Sequence, residues 1–85
     1  MPYRVLLSSA AERDRRKLPP EIRSRITQAL LALEREPRPS GVAKLSGAAN
    51  SWRIRIGDYR ILFEVDAEVQ TVLVLRIAHR REAYR

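Results

Sequence analysis

Apolar and polar positions alternate most strictly over residues 51–66, SWRIRIGDYRILFEVD. Trp52, Ile54 and Ile56 are separated by Arg53 and Arg55, the two-residue period of a half-buried strand. Gly57-Asp58 reads as a two-residue hairpin loop in which glycine supplies the positive φ. With that loop, Ile56 faces Tyr59, Arg55 faces Arg60 and Ile54 faces Ile61. The register puts Trp52, Ile54, Ile56, Tyr59, Ile61, Phe63 and Val65 on one face and Arg53, Arg55 and Arg60 on the other. Trp52 and Phe63 are thereby expected in the core. Like charges directly opposite each other destabilise a sheet. Arg55 against Arg60 is a local cost that a polyanionic ligand relieves.

The same periodicities organise the rest of the chain. Residues 3–8 place Tyr3, Val5 and Leu7 on one face and predict a short first strand. Ser9, with Glu12 three residues on, fits a capping box for a helix over 10–18, whose only apolar stripe is Ala11 and Leu18. Pro19 stops that helix, and Pro20 at a first helical position starts a second over 20–35. Ile22, Ile26, Ala29, Leu30 and Leu33 recur there at helical spacing, so one face packs on the apolar side of the sheet. Glu36-Pro37 ends the helix, and residues 37–50 read as a connection containing KLSG at 44–47. After a polar turn over 66–70, residues 71–78 (TVLVLRIA) form a strand apolar on nearly both faces, as a central strand is. Leu73, Leu75 and Ile77 are expected to face the core, with Arg76 on the arginine side. The order predicts a single α+β domain over 1–85: an N-terminal strand, two helices, then a three-stranded antiparallel meander, with the helices packed on one sheet face.

Composition narrows the partners. The 85 residues carry a net charge of +7, so the natural partner is polyanionic or strongly acidic: nucleic acid first, an acidic protein second. No apolar run approaches the roughly 20 residues that span a bilayer, and no signal-peptide core opens the chain; a cytoplasmic protein without a membrane partner is expected. Arginine outnumbers lysine, a bias that a high-GC genome also produces. Cysteine is absent, which removes thiolate chemistry and leaves no zinc motif. No metal or other cofactor is expected.

The usual catalytic motifs are missing too, and the carboxylates are scattered. Any chemistry must run on arginine, on the single histidine His79 and on tyrosine. One reaction class allows this. RNA carries its own nucleophile, the 2′-hydroxyl, and a protein promotes cleavage by aligning it with the scissile phosphate while guanidiniums stabilise the pentacoordinate phosphorane. Arginine suits bidentate phosphate contact but is a poor general base, which leaves Tyr84 or His79 to move the proton. The residues alone equally allow Arg53, Arg55 and Arg60 to do no more than bind phosphates or an acidic partner.

Three stretches, KLSG at 44–47, WRIRIGDYRILFEVD at 52–66 and VLRIAHRREAYR at 74–85, together resemble the RelE/ParE superfamily of toxin–antitoxin toxins over nearly the whole chain. The resemblance implies the strand–helix–helix–meander fold. For the RelE branch it also implies metal-independent mRNA cleavage in the ribosomal A site by 2′-hydroxyl attack. Carried over residue by residue, Arg53 and Arg55 stand where RelE toxins often place lysines. Arg60 matches the arginine of the second hairpin strand, Arg80 a tail arginine and Tyr84 the C-terminal tyrosine. Arginine in place of a proton-accepting lysine shifts weight to His79, which tails of the pattern HRRE share. Lys44, Arg76 and Arg81 are expected to add contacts to RNA.

The resemblance further implies a cognate RelB-like antitoxin, acidic and partly disordered, that wraps the toxin. It implies mRNA on the ribosome, with contacts to ribosomal RNA, as target, and promoter DNA bound only through the antitoxin. Two other functions are compatible with the same fold: a ParE-like inhibitor of DNA gyrase with no nuclease activity, and a non-toxic RNA-binding relative.

Overall fold

The computed structural model describes residues 2–37, 43–44 and 51–79. Among the described residues, five strands form one sheet in the order β1-β5-β4-β3-β2. They are β1 (Arg4–Leu7), β2 (Ala43–Lys44), β3 (Ser51–Ile56), β4 (Tyr59–Asp66) and β5 (Thr71–His79), with helices α1 (Ser9–Arg16) and α2 (Pro20–Arg35) between β1 and β2. β3, β4 and β5 are the expected antiparallel meander. β1 returns parallel to β5, Val5 beside Val72 and Leu7 beside Val74.

The hairpin register is the one that the alternation dictates: Ile56 with Tyr59, Arg55 with Arg60, Ile54 with Ile61. Gly57 has φ +58°, the conformation that a glycine at the first position of a type II′ turn adopts. A Cβ there would lie 3.3 Å from the Arg25 guanidinium, a flexible tip that yields, so the strain of substitution lies in the backbone. Gly57→Ala should cost about 1–2 kcal/mol, read as a lower urea midpoint at unchanged m-value.

One sheet face carries the core. Ile26, Leu30 and Leu33 of α2 and Ala11 of α1, with Leu18 just beyond α1, are buried together with Ile61, Phe63, Val65, Val72, Val74 and Ile77. Trp52 is half-buried against this cluster. The helices thus cover the apolar face of the meander, as the α2 stripe predicts.

Three expectations are corrected. The connection 37–50 contains β2, with Ala43 beside Arg53 and Lys44 beside Trp52, which adds an edge strand. Two residues are too short to show any alternation. In β5 the core positions are Val72 and Val74, and Leu73 and Leu75 lie only half-buried on the opposite phase. A bulge causes this: Phe63 pairs with Val74 and Leu62 with Arg76, leaving Leu75 without a counterpart, after which Ile77 returns to the core.

The third correction concerns the cap of α1, which is Ser8 rather than Ser9. Its hydroxyl accepts the Ala11 N–H at 3.0 Å and donates to the Leu75 carbonyl at 2.8 Å, so one side chain starts the helix and satisfies the bulge. Glu12 turns to Arg15 and does not close a capping box. Ser8→Ala removes both bonds and should cost about 1–2 kcal/mol, read from thermal unfolding.

Candidate nucleic-acid interface

Rows of paired residues cross β3, β4 and β5 and alternate between the two faces. Ile56, Tyr59 and His79 form one row on the helix side; Arg55, Arg60 and Ala78 form the next on the open side. Ile54, Ile61 and Ile77 return to the helix side, and Arg53, Leu62 and Arg76 follow on the open side. The open face therefore brings Arg53, Arg55, Arg60 and Arg76 together over three adjacent strands. This happens because arginine occupies alternate positions of a strict two-residue period. Ala78, in the row of Arg55 and Arg60, is small and buried, so no large side chain from β5 fills that row.

The like-charged pair is eased by geometry. Arg55 is exposed, and its Nε donates to the Gly57 carbonyl at 3.3 Å, turning it toward the hairpin loop. Arg60 is half-buried, as is Arg53. Two guanidiniums on one face can each offer a planar pair of donors to a phosphate.

Arg76 is held differently. Its Nε and Nη2 donate to the Asp14 carboxylate at 2.7 and 3.1 Å, and the Ile77 N–H donates to the same carboxylate at 2.9 Å. β1 pairs with β5 only from Thr71 to Val74. Asp14 therefore supplies an acceptor at the β5 edge where β1 has run out. Burial pushes the Asp14 pKa up. The Arg76 hydrogen bond, the Ile77 amide and the nearby charges of Arg76 and Lys17 outweigh that and hold it below the ordinary aspartate value. Nothing in the sequence singles Asp14 out, because it is one acid in a helix of alternating charges.

His79 is on the helix side. Its ring meets Tyr59 edge-on, centroids 5.3 Å apart at 85°. The two rings line a cleft of about 250 Å³ with Asp14, Lys17, Leu18 and Ile77. The register thus separates His79 from Arg53, Arg55 and Arg60 by the thickness of the sheet. Lys44 pairs through its backbone with Trp52 at the β2 edge. Arg80, Arg81 and Tyr84 lie outside the described residues.

Comparison with known proteins decides the family. Residues 5–84 match the family of the ParE toxin of type II toxin–antitoxin systems. The chain belongs to the RelE/ParE superfamily of type II toxin–antitoxin toxins. It is 40% identical over 86 residues to Toxin RelG of Mycobacterium tuberculosis, covering 100% of this chain and 99% of that protein. Among solved structures, this RelE/ParE chain superposes on the RelBE2 toxin–antitoxin complex of M. tuberculosis with a TM-score of 0.82 and 36% identity, covering 94% of this chain and 100% of the other. It superposes on the archaeal RelE–RelB complex of Pyrococcus horikoshii with a TM-score of 0.85 and 30% identity, covering 98% and 100%. The α+β fold read from periodicity is therefore the RelE-like fold. No described helix is long and apolar enough to cross a membrane.

Proposed function

We propose that this RelE/ParE toxin is a ribosome-dependent mRNA endonuclease, an mRNA interferase that cleaves in the A site through attack of the substrate's own 2′-hydroxyl. The observation that carries the reading is the open-face cluster of Arg53, Arg55 and Arg60 in two adjacent rows. In this reaction the 2′-oxygen bonds to phosphorus, the bond to the 5′-oxygen of the next nucleotide breaks, and the products are a 2′,3′-cyclic phosphate and a 5′-hydroxyl. Arg55 and Arg60 hold the non-bridging oxygens as their charge develops, and Arg53 holds a neighbouring phosphate. Arg80 and Tyr84 of the tail complete the set, with Tyr84 handling the proton. His79, on the helix side, supports the end of β5 rather than meeting the same phosphate.

The partners follow from the same reading. A RelB-like antitoxin with an acidic binding segment complements the +7 chain, in keeping with the RelBE2 and RelE–RelB complexes among the structural relatives. Contact with promoter DNA then runs through the antitoxin. The site of action is cytoplasmic, where the ribosomes are.

One observation favours a second reading, inhibition of DNA gyrase without cleavage of RNA: the matching family is described by the ParE toxin. Brief expression followed by mapping of new mRNA 5′ ends, with DNA breaks scored in the same culture, separates the two. Ends inside translated codons that vanish when initiation is blocked support the nuclease. DNA breaks with intact mRNA support the gyrase reading. Tyr84→Phe should abolish the ends while ribosome binding persists; unchanged cleavage would reduce Tyr84 to a stacking surface.

A further inference from the structure

The open face changes character along β4. Counted from the hairpin end, its rows carry Arg55 and Arg60, then Arg53 and Arg76 with Leu62 between them. The next row is Ser51, Glu64 and Leu73, and its exposed member is an acid. A phosphate track laid over Arg53, Arg55 and Arg60 is therefore repelled by Glu64 beyond Leu62. Arg76 stands at this boundary, roughly 10 Å from Arg53 across two strand spacings. Asp14 lies against it as a counter-charge, which largely cancels its attraction for a phosphate. The same carboxylate fixes the plane of the guanidinium. Nε and Nη2 donate to it side by side at 2.7 and 3.1 Å, and the Ile77 N–H anchors the acceptor at 2.9 Å. The Arg76 side chain is nevertheless 48% exposed. Leu62 beside it and Leu75 before it are half-buried apolar neighbours.

We propose that the clamped Arg76 guanidinium, with Leu62 and Leu75, is a stacking shelf for one unpaired base of the bound RNA, and that Asp14 is the residue that positions it. A base presents a flat face that a charge-paired guanidinium plane and leucine methyls can cover, whereas a phosphate calls for a cation that is not already neutralised. Unpaired bases are held in this way on aromatic rings and guanidinium planes. The proposal rests on the RNA-directed reading of the open face, and adds a base contact to the phosphate contacts of Arg53, Arg55 and Arg60.

The test compares two polyanions for binding to the full-length protein across a salt series: a short single-stranded RNA, and inorganic polyphosphate, which has the charges but no bases. Arg76→Ala should weaken RNA binding by about 5–150-fold, the usual effect of losing one stacking partner. The log–log salt slope and the binding of polyphosphate should not change. Arg76→Lys keeps a cation beside Asp14 but loses the plane, so it should behave like Arg76→Ala, which guards against a loss that is only structural. Asp14→Asn keeps an acceptor for the Ile77 amide while loosening the guanidinium, and should shrink the preference for RNA over polyphosphate. A slope lower by about 0.7–1 in Arg76→Ala, with polyphosphate weakened alike and full recovery in Arg76→Lys, would make Arg76 a phosphate contact and overturn the proposal. So would unchanged RNA binding by Arg76→Ala, or an unchanged preference in Asp14→Asn. In-cell cleavage is scored separately. A nuclease whose Arg76 variants bind RNA as before refutes only the shelf, while a toxin that cuts no mRNA, yet shows the expected binding pattern, refutes only the nuclease reading.

Discussion

Arg60→Ala should lower mRNA cleavage by about 10²–10³-fold, the usual effect of removing one preorganised donor to a developing oxyanion. It should abolish growth arrest on expression. Arg60 sits half-buried opposite Arg55 on the open face, with the small Ala78 on its other side. Because the pair carries like charges, removing one member should leave stability within about 1 kcal/mol of the starting protein, or raise it slightly. Arg60→Lys refines the test: it keeps the charge but loses the planar pair of donors, so cleavage should fall to an intermediate level. Growth arrest by Arg60→Ala at full strength would show that the open face does not clamp the scissile phosphate. The two variants are compared by the yield of cleaved mRNA ends at equal protein level.

Asp14→Ala should have the largest effect on stability. It removes three hydrogen bonds to one largely shielded carboxylate and leaves the Ile77 amide at an edge that β1 does not cover. Hydrogen bonds to charged groups each contribute about 1.5–3 kcal/mol. Arg76 is about half exposed and returns to water when freed, so the net loss should be about 2–3 kcal/mol. Asp14→Asn keeps an acceptor for the amide but not the charge, and should lose roughly half as much.

The pH dependence has a fixed sign. The Asp14 pKa is lowered in the folded state, so its stabilisation is complete above the unfolded value of about 3.9. It is lost as pH falls below that value and through the folded pKa. The gap in urea midpoint between Asp14→Asn and the unsubstituted protein should therefore be full at neutral pH and narrow as pH falls below about 3.9. A gap that does not narrow in acid would contradict the ionic part of the account.

The hairpin was legible because two independent signals agree there: strict alternation on both arms, and a Gly57-Asp58 loop that admits one register. α2 was legible for a similar reason, its stripe from Ile22 to Leu33 being bounded by proline at each end. β5 was not legible in phase. TVLVLRIA is apolar at odd and even positions alike, so periodicity cannot say which side faces the core, and the bulge at Leu75 changes the answer midway. β2 pairs through two residues and carries no pattern. Ser8 and Ser9 are chemically equivalent as caps, and only the Leu75 carbonyl distinguishes them.

Of the candidate site, the sequence showed the arginines that share a face, because strand parity alone places them. His79 falls on the opposite face because it follows the core-facing Ile77 by two residues, a parity that the bulge at Leu75 does not alter. The sequence did not show the Asp14 clamp, a contact over 62 residues of separation between two elements whose meeting no local pattern records.

The most direct test of the central claim is cleavage of a defined mRNA on purified ribosomes with an empty A site, the mRNA carrying a single 2′-deoxy nucleotide immediately 5′ of the scissile phosphate. The account predicts that the all-ribose message is cut, leaving a 2′,3′-cyclic phosphate and a 5′-hydroxyl, and that the deoxy message stays intact. Cutting of the deoxy message at the same position would contradict it, because the nucleophile would then come from somewhere other than the RNA.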